Sequence, residues 1–375
     1  MRVGIVKEIK NSENRVAIIP GNVPEFLSRG HEVYIQKGAG TGSGFSDEDY
    51  AEAGAIMMDT ADEVWEKAEL LYKVKEILPE EYKFLRDDLV LMTYIHSNSH
   101  REQTDELLRS GIISIALEDV SSDDPMKKWP LVANMGELAG KGGFLAALYY
   151  AQSVHGGPGL LLANVAGDDQ PIVSIIGCGY TGKGAAELAS AFGNKVRVLD
   201  VNFKAMEVAK TYFPPNVSFM YSNRANILKC LKDSDVLINC ILWDKTRTDH
   251  LIYREDLKLM KKGAMIIDVA CDDEGAVETC RSTTHEDPVF YEEGIPHYCV
   301  DNIPSAFSKT SSVRFSNDSL PFALEVADKG VVQALKDDKH LRRGLTTYKG
   351  TLTMVETGIK QNRPYEEPDE FVKNL

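Results

Sequence analysis

Short apolar runs recur through the first 120 residues, separated by polar stretches with helical spacing. RVGIV, EVYIQ, LLYKV, LVLMTYI and ISIAL read as buried parallel strands. Between them stand helix starts such as TADEVW, where Thr60 and Glu63 have the spacing of a capping box. Strand, helix and strand in repetition predict a doubly wound sheet. Near Met135 the pattern changes. GELAGKGGFLAALYYAQ is a small-residue helix suited to crossing between domains, and the glycine-rich HGGPG follows it. PIVSIIG then opens a second alternating unit with the strands KVRVLD, DVLINCIL and AMIIDVA. After VDNIPSAFSKTSS, helical patterns run to the C-terminus. The expected architecture is α/β, with two doubly wound Rossmann-like domains and a cleft between them. The first domain is expected to be discontinuous, residues 1–134 and 306–375, around a dinucleotide-binding domain of residues 135–305.

The second unit begins with SIIGCGYTGKG, which nearly matches two phosphate-binding loops. A nucleoside-triphosphate loop needs Ser or Thr after its lysine to ligate magnesium, and Gly184 stands there. A dinucleotide fingerprint needs a strand before it, a helix after it and an acid about 20 residues on. PIVSII, GAAELASAFG and Asp200 supply these, the last 18 residues after Gly182. Gly177 then allows the tight turn, Gly179 the approach of backbone to pyrophosphate, and Gly182 close packing of helix on strand. The helix N-terminus faces the phosphates. Asp200 suits the ribose hydroxyls and repels a 2′-phosphate, favouring NAD over NADP, although Arg197 and Lys204 lie nearby.

Composition narrows the partners. The 375 residues are 43% hydrophobic and 26% charged, enough for two ordinary cores. A net charge of −15, spread along the chain, argues against nucleic acid or an anionic membrane surface. The six cysteines begin at Cys178 and form no C-x-x-C pair, so neither a metal site nor a disulfide framework is expected. MRVGIVKEIK lacks a signal-peptide apolar run, and no stretch reaches about 18 apolar residues. A cytoplasmic protein is expected.

Ligands of open parallel sheets bind beyond the carboxyl ends of the strands. Arg15 lies in the loop after the first strand, Lys75 ends LLYKVK, His96 ends LVLMTYIH and Asp272 follows MIIDVAC. Each also fits a structural role: Arg15 a surface ion pair, Lys75 a solvated edge charge on one face with Lys73, His96 a core histidine, Asp272 a helix cap. Asp268, inside its strand, reads as structural.

KEIKNSENRVAIIP, GHEVYIQKGAGTGSGFSDEDY, YKVKE, LPEEYKFLR, TYIH, TTHEDP and the C-terminal GLTTYKG closely resemble the alanine dehydrogenases. That family also includes the nucleotide-binding part of proton-translocating transhydrogenase. The likeness spans nearly the whole chain. It implies that Arg15 clamps a substrate carboxylate, that Lys75 polarises a carbonyl or imine, and that His96 and Asp272 act in proton transfer. Asn302 would lie near the nicotinamide, touching substrate and cofactor, with Asn98 and Met135 on the substrate. Tyr180, Thr181 and Lys204 would join Gly177, Gly179, Gly182 and Asp200 around the NAD. A homo-oligomer, dimer or hexamer, is implied as well. The chemistry agrees: a guanidinium fork holds a carboxylate, and a histidine moves protons near neutrality. A lysine stabilises charge developing on oxygen.

Departures from the family pattern cluster at these positions. SNSH follows TYIH where the family has small or apolar residues, NMGE stands where it has PMSE, and LWDKTRTDH replaces a glycine-, alanine- and proline-rich loop. CDDEG stands for IDQGG, and DNIPS for ANMP. Ser97, Asn98, Ser99, Asp244, Lys245, Arg247 and Asp249 therefore suggest a polar substrate end. The expected enzyme is an NAD-dependent amino-acid dehydrogenase that deaminates an L-amino acid larger or more polar than alanine to its 2-oxo acid. VDNIPS also resembles a segment of saccharopine dehydrogenases, so an opine-type condensation of an amino acid with a 2-oxo acid is the alternative. A non-catalytic NAD-binding module is the third reading.

Overall fold

Strands form where the apolar runs lie. The computed structural model describes residues 1–124, 127–243, 247–271 and 275–375. Among these the chain divides into two units, Met1–Val132 with Ser305–Leu375, and Ala133–Pro304.

The first unit is built on β1 (Arg2–Ile5), β2 (Glu32–Gln36), β3 (Ile56–Met58), β4 (Leu70–Tyr72), β5 (Val90–Thr93) and β6 (Ile113–Ala116). These six are mutually parallel. Its core on one face gathers Trp65, Leu71, Leu91, Ile95 and Leu107. The helix Ala61–Lys67 starts with a capping box in which the Thr60 hydroxyl accepts from the Glu63 amide and Glu63 accepts from that of Thr60. The C-terminal segment, expected to be helical throughout, instead adds β14 (Leu345–Tyr348) and β15 (Thr351–Leu352) at the sheet edge. β14 runs antiparallel to β6, with Thr347 opposite Ser114 and their hydroxyls 2.7 Å apart. β-Branched residues between Gly344 and Gly350 favour strand over helix there.

The second unit carries β7 (Ile172–Ile176), β8 (Lys195–Asp200), β9 (Val217–Tyr221), β10 (Val236–Asn239), β11 (Met265–Asp268), β12 (Val289–Glu292) and β13 (Ile295–Tyr298). Only β12 is antiparallel to its neighbour. The helix Pro130–Tyr150 starts earlier than the sequence pattern suggested. It packs on the helix Tyr180–Ala191 through glycines, since a Cβ at Gly140 would overlap the Thr181 carbonyl and one at Gly184 that of Glu137.

The strand orders reveal one device used twice. The first sheet runs β15-β14-β6-β5-β4-β1-β2-β3 and the second β12-β13-β11-β10-β7-β8-β9. In each, the unit's first strand has its successor on one side and a later strand on the other. The order thus reverses beside β1 and beside β7, the switch points where such sheets bind ligands. No helix among the described residues is long and apolar enough to cross a membrane.

Candidate active site

In the first unit, three adjacent strands deliver the candidate side chains. Arg15 lies in the segment after β1, Lys75 after β4 and His96 after β5. The Arg15 segment has no regular structure, so its amides need outside partners. The helix Ser308–Lys329 supplies them one turn apart: the Ser312 hydroxyl accepts from Val16 N at 2.9 Å and that of Ser316 from Ile19 N at 3.1 Å. Phe315 lies between those serines and packs on Tyr72 and Tyr94.

Arg15 is buried, its side chain 2% exposed. Nε and Nη2 bind the two Glu13 oxygens at 2.7 and 2.5 Å. Burial works against the charge, but Glu13 outweighs it and holds the guanidinium above its ordinary pKa. Glu13 thus occupies one edge of the guanidinium.

Lys75 and Lys73 are both buried. The solvated-edge alternative therefore fails for the pair, because β4 lies inside the sheet between β1 and β5. Lys73 meets the carboxylates of Glu8 and Glu81. Glu8 also accepts from the amides of Val74 and Lys75, at 2.7 and 3.3 Å, which fixes the backbone of the Lys75 turn. Burial pushes Glu8 up to about 7 against the pull of Lys73.

His96 has φ of 50°, a left-handed conformation rare for a histidine. Its side chain is 41% exposed, unlike a core histidine. Loss of surrounding water and then the Lys75 charge push its pKa down to about 4, so the ring is neutral near pH 7. Remaining contact with solvent moderates that shift without reversing it. The left-handed turn is held by Glu118, whose carboxyl accepts from the amides of Ile95 and His96. Burial and then Asp119 push Glu118 up to about 8. Glu118 lies 3.8 Å from His96 Nδ1. Sequence reading missed Glu118; the signal was an acid just past the end of ISIAL.

Of the residues thought to make the site polar, Ser97, Asn98, Arg247 and Asp249 are engaged elsewhere, whereas Ser99 is exposed. Asn98 Oδ1 accepts from the Thr357 hydroxyl at 2.6 Å, and Ser97 Oγ lies 2.7 Å from the same oxygen. Both tie their turn to the helix Val355–Gln361. Arg247 pairs with Asp249 and lies over the Trp243 ring, whose Nε1 donates to Asp249 O. Asp244 and Lys245 lie outside the described residues, as does Asp272. The strand before Asp272 ends in Asp268, which accepts from the amides of Ala270 and Cys271 and from the Asn239 amide group. That is the structural part expected of it.

In the second unit, the glycine loop closes the switch point beside β7. Gly177 has φ of 111°, and a Cβ there would lie 3.1 Å from Cys240 O, past the end of β10. A Cβ at Gly182 would overlap the Gly177 carbonyl, whereas one at Gly179 would meet nothing within 4 Å among the described residues beyond its chain neighbours. That contrast fits a loop whose third glycine packs against protein and whose second faces a ligand. Asp200 ends β8 and accepts from Cys178 N at 2.5 Å and Asn202 N at 2.8 Å, joining the loop to the end of that strand. Tyr180 and Thr181 are half-buried and Lys204 is exposed. Met135 is buried. A Cβ at Gly136 would lie 2.8 Å from Thr181 Oγ1, so glycine in NMGE matches the threonine in this loop. Asn302 has φ of 69°, and its carbonyl accepts from His285 Nε2 at 3.4 Å.

This pairing of a cationic half with a dinucleotide half has known counterparts. The family profiles "Alanine dehydrogenase/PNT, N-terminal domain" and "Alanine dehydrogenase/PNT, C-terminal domain" match residues 4–139 and 144–355. The chain belongs to the alanine dehydrogenase/PNT family. Within it, an alanine dehydrogenase of Methanococcus maripaludis is 40% identical over 97% of this chain and 98% of its own. One of Bacillus subtilis is 40% identical over 94% and 93%. A solved L-alanine dehydrogenase superposes with a TM-score of 0.91 at 35% identity, covering 96% of this chain and 99% of its own.

Proposed function

We propose that the chain deaminates a small L-amino acid, alanine foremost, to its 2-oxo acid with reduction of NAD, and runs the reverse amination. It is an NAD-dependent oxidoreductase acting on CH–NH2 bonds. The observation that carries the reading is the convergence of Arg15, Lys75 and His96 on three adjacent strand ends, two cations buried and the imidazole accessible. Arg15 takes the substrate carboxylate. The neutral His96 accepts a proton from the substrate ammonium and passes it to solvent; it then accepts one from the water that attacks the iminium and returns it to the departing amine. Lys75 stabilises negative charge on the carbonyl or carbinolamine oxygen. NAD, held through Gly177, Gly179, Gly182 and Asp200, supplies the hydride acceptor when bound. Asp272 and Asn302 keep the proton-transfer and nicotinamide roles that the resemblance implies.

The expected preference for a larger or more polar substrate loses its support. Its basis was Ser97, Asn98, Ser99, Asp244, Lys245, Arg247 and Asp249; among the described ones Asn98 and Ser97 meet Thr357, and Arg247 meets Asp249 and Trp243. The test follows NADH oxidation with pyruvate and other 2-oxo acids, first with ammonia and then with amino acids as donor. Turnover with pyruvate and ammonia is expected. Turnover only with an amino acid as donor would mark an opine-type condensation, and NADH binding without any turnover a binding module.

A further inference from the structure

Lys75 is one of two ammonium groups that share a single carboxylate. Glu76, the next residue, has a side chain only 5% exposed. Its Oε1 accepts from Lys10 Nζ at 2.7 Å, while its buried Oε2 accepts no hydrogen bond among the described residues and faces Lys75 Nζ as an ion pair at 3.5 Å. Lys10 comes from the segment after β1 and Lys75 from the one after β4, so the carboxylate spans the switch point. Burial alone would push Glu76 up, yet Lys75 and Lys10 outweigh it and hold the group down at about 2. The surroundings are densely charged. Glu8 lies beneath the Lys75 turn, His96 and His100 face it from the segment after β5, and Arg101 and Glu102 begin the next helix. With Glu76 the last three line a cavity of about 380 Å³. His96 feels this set directly, since Lys75 and Lys10 disfavour its protonated form and Glu76 favours it.

We propose that Glu76 is a positioning residue for the reaction: its carboxylate, anchored by Lys10, sets a negative charge against the Lys75 ammonium and keeps it charged beside its cationic neighbour. The inference rests on the reading of Lys75 as the group that polarises the substrate oxygen. Two ammonium groups this close repel unless a counter-charge lies between them. Without Glu76, Lys75 would give up its proton at lower pH, and the charge that steadies the substrate oxygen would go with it.

The test compares pH profiles of kcat/KM for pyruvate in the full-length enzyme. Glu76→Gln keeps shape and a hydrogen-bond acceptor but loses charge. Its alkaline limb is expected to move to lower pH by about one unit, with NADH affinity within twofold of the parent. Glu76→Asp should recover most of the shift. Lys10→Met removes the competing cation, so its alkaline limb should stay in place or move to higher pH. NMR titration of the His96 ring in Glu76→Gln, free of substrate, should show its midpoint move down. A Glu76→Gln profile that superimposes on the parent's, or merely scales down at every pH, would overturn the proposal. If Glu76→Gln does not fold, Lys10→Met decides it, because an alkaline limb that moves down there overturns it equally. Lys75→Met separates the two levels. Near-parental activity in that variant removes Lys75 from the site, whereas loss of activity there with an unmoved Glu76→Gln limb rejects Glu76 alone.

Discussion

The segments after β1 and after β7 occupy the same place in their sheets, each at the reversal of strand order, and they are built in opposite ways. After β7 the chain turns at once into a helix, and the loop works through what it lacks: Gly182 packs where a Cβ would overlap a carbonyl, and Gly179 leaves its backbone bare. After β1 the chain wanders for over a dozen residues without regular structure. It works through side chains, with Arg15 fixed by Glu13 and its amides by Ser312 and Ser316. A phosphate can be held by amides and a helix end. An amino-acid carboxylate beside a reacting carbon needs an oriented guanidinium, and that orientation must come from other parts of the chain.

The glycine pair should give the largest effect and tests the second loop. Gly182→Ala forces an overlap with backbone, so it should destabilise the protein by about 1–3 kcal/mol or more and abolish NADH binding. Gly179→Ala has room in the protein, so Tm should hardly change while NADH affinity falls about tenfold, or about 1.4 kcal/mol. Calorimetry and fluorescence titration separate the two. Equal losses of stability would mean that Gly179 does not face the ligand.

In the first loop, Arg15→Lys keeps a cation beside Glu13 but loses the fork. kcat/KM for pyruvate should fall about 10²-fold, the ~2–3 kcal/mol of a charged hydrogen bond, with NADH affinity unchanged. Arg15→Ala should add a stability loss of about 3–5 kcal/mol, because the buried Glu13 carboxylate loses the guanidinium that binds both of its oxygens. If both variants lose NADH affinity in parallel, Arg15 is structural and the contrast between the loops collapses.

The same contrast explains what could be read along the sequence. The glycine loop's determinants lie within 30 residues, and their spacing carries the geometry. For the first unit the sequence located Arg15, Lys75 and His96 through strand ends and family likeness. It did not disclose what holds them: Ser312 lies 296 residues from Val16, and Thr357 259 residues from Asn98. Those pairings are made by the C-terminal return of the chain, whose own strands β14 and β15 were hidden among helical patterns. Lys73 misled for a related reason, since alternation along LLYKV cannot say that Glu8 and Glu81 will close over it.

A smaller effect is expected from the charge between Lys75 and His96. His96 must be neutral to accept a proton, so deamination falls as pH drops through its folded pKa, which lies below the ordinary 6.5 at about 4. Lys75 is the main charge holding it there. In Lys75→Met, whatever activity remains should show an acid limb moved to higher pH by about half a unit to one unit. An acid limb near 6.5 in the parent enzyme would mean that His96 is fully solvated, and its left-handed turn would then have no electrostatic consequence.

The smallest effect belongs to the loop that carries Arg247. The guanidinium bonds both Asp249 oxygens at 2.7 and 2.5 Å, and both partners are about half exposed. An exposed pair of this kind contributes only about 0.2–1 kcal/mol, and its stacking on Trp243 keeps the cation occupied within its own loop. Arg247→Ala should therefore change kcat/KM for alanine by less than about twofold, and the order of preference among amino acids should stay the same. Asn98→Ala removes only the acceptor of the Thr357 hydroxyl, which Ser97 also meets, so the same outcome is expected. A panel of alanine, serine, glutamate and lysine with each variant decides the matter. If Arg247→Ala reorders that panel, the loop reaches the substrate after all and the polar-end reading returns. If it does not, side-chain selection rests with the buried first-unit groups, and the unusual loop sequence is explained by its own internal pairing.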